Sequence, residues 1–256
     1  MRLCMFSPPG RELERGWPGR IEGDRVVQLA AQTLQSFFTG GGKAREHAEY
    51  RLDEVHLRPP VLHPPSVRDF SSFRLRELGF YFSNPAAIYG PEDEIAYPQG
   101  TEELDYEPEV AAVIGADGRI GGFTVMNDWS ARDLLREEFR IGLGPAKSKD
   151  FATSLGPVVV TPDEFDGASG AVVSRVNGVE RASADLRGMH HSWEELVAHA
   201  ARNTHLLPGD VIGSGSVDTD REGARLKPGD VVELEVEGIG VLRNVVGRQA
   251  FAPAAL

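Results

Sequence analysis

Two glutamates one residue apart, Glu107 and Glu109, stand in the run Asp105-Tyr106-Glu107-Pro108-Glu109. If this run enters a strand, both project to the same side, because strand side chains alternate with period two. Two carboxylates side by side repel each other unless a cation lies between them. The apolar stretch Val110 to Ile114 follows at once and puts the pair at a core edge, although the spacing taken alone also describes a solvated acidic loop. A second run, Asn127-Asp128-Trp129-Ser130-Ala131-Arg132-Asp133, offers Asp128 as a third oxygen ligand or as the cap of a following helix. Three carboxylates without cysteine or paired histidine suit a hard ion: Mg²⁺ first, with Mn²⁺ or Ca²⁺ as alternatives. A third run, Gly144-Pro145-Ala146-Lys147-Ser148-Lys149-Asp150, supplies a lysine. Beside three carboxylates, Lys147 could steady an enolate or bind a substrate carboxylate. A loop lysine is more commonly a plain surface residue.

These residues need elements to position them. Arg2 to Phe6 predicts a strand closed by Pro8-Pro9-Gly10, and Val26 to Phe38 carries helical spacing up to Gly40-Gly41-Gly42. The pairs Pro59-Pro60 and Pro64-Pro65 predict an extended connector, and the unit boundary is placed there: 1–64 as a small N-terminal domain, 65–256 as the metal-binding domain. Glu109 to Ile114 and Pro157 to Thr161 predict strands, and Asn177-Gly178 predicts a hairpin turn. Ala131 to Phe139 predicts a helix with Ser130 as N-cap, and Trp193 to Ala201 a second one with Ser192 as cap. Pro228-Gly229-Asp230 opens Val-Val-Glu-Leu-Glu-Val-Glu, an alternating strand with one apolar and one acidic face.

Composition removes several functional classes. The chain of 256 residues has 27 Lys+Arg against 39 Asp+Glu, a net charge of −12. That charge argues against nucleic acid, since nothing would neutralise the phosphates. Cys4 is the single cysteine, which excludes an internal disulfide and a Cys-rich zinc site. No apolar run is long enough for a membrane span and the N-terminus lacks a signal-peptide core, so the expectation is a cytoplasmic protein. His190-His191 face opposite ways on any strand and are set aside as ligands.

Taken together, the runs resemble the fumarylacetoacetate hydrolase family. The resemblance rests on D-Y-E-P-E-V-A-A-V-I-G, G-G-F-T-V-M-N-D-W-S-A-R-D, K-S-K-D-F-A-T-S-L-G-P-V-V-V-T-P and L-K-P-G-D-V-V-E-L-E-V-E-G-I-G-V-L-R-N, in that order. It implies a mixed, β-rich α+β fold, with a β-roll or barrel-like main domain assembled as a homodimer. It implies a divalent ion on Glu107, Glu109 and Asp128, with Asp69 of Val67-Arg68-Asp69-Phe70 as a further ligand. By the same resemblance Arg132 and Lys147 face the reacting oxygens, Thr153 lies beside the ion, and Tyr81 and Ser214 touch a small oxo-acid substrate.

The implied activity is metal-dependent hydrolysis of a C–C bond in a 1,3-dioxo acid such as an acylpyruvate. Hydrolases of this family carry a histidine a few residues after the R-D-F motif. Here Glu77 is the water-activating candidate, and no histidine stands between His63 and His190. Decarboxylation or tautomerisation of a 2-oxo diacid, which needs no activated water, is therefore the alternative. A non-catalytic binding protein on the same fold is the third reading.

Overall fold

Alternating β-branched residues and glycine turns dominate the chain, and the computed structural model is accordingly built of strands; it describes residues 1–218 and 223–250. The N-terminal strands are β1 (Arg2–Ser7), β2 (Trp17–Glu22), β3 (Arg25–Leu29), β4 (Glu46–Arg51) and β5 (His56–Arg58), with the short helix α1 (Leu34–Thr39). The helix expected over Val26 to Phe38 is corrected here. Val26 and Val27 pair with Ile21 and Arg20 across a turn at Gly23-Asp24, and helix starts only at Thr33, whose hydroxyl caps Ser36. Stiff β-branched side chains pack better on a pleated surface than on a helix.

The middle of the chain supplies β6 (Val67–Phe70), β7 (Phe80–Ser83), β8 (Ile88–Tyr89), β9 (Glu94–Tyr97), β10 (Leu104–Asp105), β11 (Pro108–Ile114), β12 (Ile120–Asp128), β13 (Ser130–Ala131) and β14 (Thr153–Val160). The last part supplies β15 (Ala171–Val176), β16 (Val179–Asp185), β17 (Val211–Gly213), β18 (Val231–Val236) and β19 (Gly240–Ala250). One large sheet runs β4-β3-β2-β1-β14-β12-β11-β17-β6-β7, with β5 and β8 on its flanks. A second runs β16-β15-β18-β19-β9, and β10 pairs with β13. The connector at 59–66 is irregular, as its prolines require, and β1 pairs with β14 so that the N-terminal strands extend the large sheet.

Helices α2 (Arg132–Arg140) and α3 (Trp193–Ala200) complete the fold. Ser192 caps α3, as the sequence predicts, and Glu195 bonds back to it to complete a capping box. Ser130 does not cap α2: its hydroxyl donates to the carbonyl of Asp128, and Ala131 stands at the N-cap without a side-chain bond. On β18, Val232, Leu234 and Val236 face the core, while Glu235 accepts from Arg175 at 2.7 Å. The main core lies between the two larger sheets, around Tyr106, Phe123, Trp129, Trp193 and Leu234. Among the described residues, no helix is long and apolar enough to cross a membrane.

Candidate metal centre

Six neighbouring strands of the large sheet, β14-β12-β11-β17-β6-β7, bring their ends to one place. Asp128 is the last residue of β12 and pairs in register with Thr153, the first of β14. Glu109 is the second residue of β11, next to β12 on one side and β17 on the other. Gly213 ends β17 opposite Asp69 of β6, and Asp69 pairs with Tyr81 of β7. Glu107 immediately precedes β11, and its amide donates to the Asn127 side chain at 3.1 Å. Asp69, Glu107, Glu109 and Asp128 thus offer ligand oxygens that all lie within 4.8 Å of one another. Asp69, Glu109 and Asp128 are buried; Glu107 is the most open of the four.

The cluster fits a divalent ion on its own geometry. Asp69 Oδ1, Glu109 Oε1 and Asp128 Oδ1 are buried and accept no hydrogen bond, a costly arrangement for carboxylates unless a cation faces them. A Cβ built on Gly213 would stand 2.5 Å from Asp69 Oδ1 and 2.9 Å from Glu109 Oε2, so only glycine leaves room for both. All donors are oxygens, which suits a hard ion. These four side chains are the ones that could hold such an ion.

Two cations brace the cluster. Lys149 Nζ donates to Glu107 Oε2 at 2.7 Å and to Asp128 Oδ2. Arg132 donates through Nη1 to Glu107 Oε1 at 2.5 Å and through Nε to Asp105 Oδ2 at 2.8 Å. Tyr81 Oη donates to Asp128 Oδ2 at 2.6 Å, and the Gly215 amide donates to Glu109 Oε2 at 2.9 Å. Burial pushes the carboxyls of Asp69 and Glu109 well above the ordinary range; Asp128 adds to this in both, and Asp69 in the case of Glu109. Asp128 is raised by burial and by Glu107, against the pull of Lys149. Glu107 goes the other way: burial would raise it, but Lys149 and Arg132 outweigh that and hold it at about 2. Burial opposes the charge on Lys149 too, yet Asp128 and Glu107 raise its pKa and keep it protonated.

The structure corrects the lysine. Lys147 lies outside the cluster: its side chain is 80% exposed and pairs with Asp150 at 2.8 Å. Lys149, two residues on, occupies the place expected for it and is 6% exposed. Residue type does not separate two lysines in one loop; the turn that bonds the Lys149 and Asp150 amides to the Ala146 carbonyl does. Glu77 lies exposed on the loop between β6 and β7. Ser214 is buried beside the cluster, but its hydroxyl donates to the Gly215 carbonyl at 2.8 Å and accepts from the Val110 amide at 3.2 Å. Thr153 is buried against Ser83, with hydroxyls 2.9 Å apart. Asp105, given no role by the sequence, anchors Arg132 and accepts from the Ala224 amide at 2.9 Å. His199, in the last turn of α3, packs edge-on against Phe70 and Phe80.

Residues 63–247 match the family model described as fumarylacetoacetate (FAA) hydrolase C-terminal. The protein MJ1656 of Methanocaldococcus jannaschii is 36% identical over 186 residues, 68% of this chain and 76% of that one. The human mitochondrial oxaloacetate tautomerase FAHD2B is 35% identical over 176 residues, 63% of this chain. The matched region spans only 56% of the length of that tautomerase. A fumarylacetoacetate hydrolase from Exiguobacterium antarcticum has the same fold, with a TM-score of 0.83 at 28% identity, covering 98% of this chain and 100% of that one.

Proposed function

Because this chain belongs to the fumarylacetoacetate hydrolase family, we propose that it is a divalent-metal-dependent enzyme that interconverts the keto and enol forms of a 2-oxo diacid. The observation that carries this reading is the convergence of three unpartnered, buried carboxylate oxygens beside Lys149 and Tyr81. The ion supplies Lewis-acid polarisation of a bound oxo acid. The chain's own residues do the rest. Lys149 has three donors and uses two on Glu107 and Asp128, so one remains for a substrate oxygen that gains negative charge. Tyr81, its pKa raised by burial and by Asp128, stays a hydroxyl and orients Asp128. Arg132 holds Glu107 in place through a link to Asp105.

Keto–enol interconversion moves a proton between carbon and oxygen and needs no activated water. That suits a chain with an exposed Glu77 and no histidine from residue 64 to 189. The human relative's name, oxaloacetate tautomerase, supports the same reading. The second reading is C–C bond hydrolysis of an acylpyruvate or fumarylacetoacetate-like acid, favoured by the likeness to the Exiguobacterium hydrolase.

The test is a panel with Mn²⁺-supplemented protein. Loss of the oxaloacetate enol is followed by absorbance, CO₂ release is measured, and acylpyruvate cleavage is assayed by product analysis. Accelerated enol loss without CO₂ release supports tautomerisation. Acylpyruvate cleavage with no effect on the oxaloacetate enol replaces it by the second reading.

A further inference from the structure

A 2-oxo diacid presents two carboxylates, and the metal centre accounts for one end of it. The protein carries a net charge of −12, so the distal carboxylate is repelled unless a local cation receives it. Four segments adjoin the ligand-bearing strand ends: 70–79 after Asp69, 104–107 before Glu109, 129–152 between Asp128 and Thr153, and 214–218 after Gly213. Most of their cations are already engaged. Arg132 and Lys149 hold cluster carboxylates, Arg136 pairs with Glu103 at 2.9 Å, Arg140 with Glu137 at 2.9 Å, and Lys147 with Asp150 at 2.8 Å. Among the described residues of these segments, Arg74 and Arg76 are the cations without an acidic partner, and both are exposed.

Their loop is fixed against the cluster. The Ser72 amide donates to the Ser214 carbonyl at 3.0 Å, the Arg74 and Leu75 amides donate to the Ser71 carbonyl at 3.1 and 2.8 Å, and the His190 amide donates to the Ser72 carbonyl at 2.8 Å. A Cβ on Gly215 would stand 2.8 Å from Ser71 Cα, and the same Gly215 donates its amide to Glu109. The start of the loop is therefore one packed residue away from a ligand carboxylate.

We propose that Arg74 and Arg76 form the subsite for the distal carboxylate of the substrate, and so select dicarboxylic over monocarboxylic 2-oxo acids. This rests on the 2-oxo acid reading above. Guanidinium groups grip a carboxylate through paired, charge-assisted hydrogen bonds. Loss of such bonds typically costs about 1.5–3 kcal/mol, roughly ten- to a hundredfold in affinity.

The test compares Mn²⁺-loaded wild type with Arg74→Gln/Arg76→Gln. The control is Arg119→Gln, the same kind of charge loss at the exposed hairpin beyond Ile114, at the opposite end of β11 and β12. Turnover is measured on oxaloacetate and on its 4-methyl ester, and calorimetry measures malate against lactate, which differ by the distal carboxylate. The double variant is expected to lose about ten- to a hundredfold in kcat/KM on oxaloacetate and in malate affinity. The ester, lactate and the control variant should be unaffected. Equal loss on diacid and ester would show that the arginines only hold the loop and would overturn the proposal. If wild type turns over neither oxaloacetate nor acylpyruvates, the parent reading fails. The malate–lactate comparison then decides the subsite alone: no malate preference, or one the double variant keeps, overturns it.

Discussion

Lys149→Met and Lys147→Met should behave as opposites although the residues are two apart. Lys149 Nζ bonds Glu107 and Asp128, and its side chain is 6% exposed. Its removal leaves Asp128, itself fully buried, with the Tyr81 hydroxyl as its remaining side-chain donor. Breaking a buried pair by removing one partner costs about 3–5 kcal/mol. Asp128 can relieve part of this by taking a proton, since its pKa is already raised, so the low end of the range is expected. For a chain of this length, ~1 kcal/mol corresponds to about 2–4 °C, which gives a Tm loss of roughly 6–12 °C. Lys147 is 80% exposed in a simple ion pair with Asp150, and such pairs contribute ~0–1 kcal/mol. Urea unfolding followed by the fluorescence of the buried Trp129 and Trp193 reads both values. Mn²⁺ at a hundred times its Kd should add about 2.7 kcal/mol to wild type. It should also stabilise Lys149→Met, because the ion faces the carboxylates that the ammonium leaves. Equal losses for the two variants, or a larger one for Lys147→Met, would refute the assignment of Lys149 to the cluster.

Three further outcomes follow from the same geometry. Asp69→Asn should raise the urea midpoint of the metal-free protein, since it removes one of the mutually repelling buried acids, yet weaken Mn²⁺ binding at least tenfold by calorimetry; a lower midpoint would count against repulsion as the dominant effect. Gly213→Ala should cost at least as much in Mn²⁺ affinity while the circular dichroism stays native, because the new methyl group meets Asp69 Oδ1 and Glu109 Oε2. The pH dependence has two signs. Folded-state carboxyls raised above their unfolded values, as in Asp69 and Glu109, stabilise the metal-free protein at low pH and lose that contribution as pH rises through the folded pKa. Glu107, held at about 2, contributes stability above its unfolded pKa and loses it as pH falls towards 2. Mn²⁺ binding should therefore release protons and tighten as pH rises from the ordinary carboxylate range; calorimetry in buffers of different ionisation enthalpy that finds no proton release would contradict the raised carboxyls.

Residue type and short-range spacing determined much of this protein. Glu107, just before β11, and Glu109, its second residue, are close enough in sequence to reach one cluster, and Asp128 ends β12 just ahead of the turn into α2. The Asn177-Gly178 turn, the Ser192 capping box and the alternating β18 are local decisions, written in the residues that make them. Distances between segments are not local. Asp69 reaches Glu109 only because β6 lies parallel to β17 in the register that sets Asp69 against Gly213, where no side chain fills the gap. The Val26 stretch carried helical spacing, but two neighbouring strands claimed its hydrogen bonds. The choice between Lys147 and Lys149 lay in a single turn: both are lysines in the same loop, and the backbone bonds to Ala146 send one to solvent and the other between two buried carboxylates. A sequence names the charges available, while which of them is desolvated, and beside what, is set by packing from strands far apart in the chain.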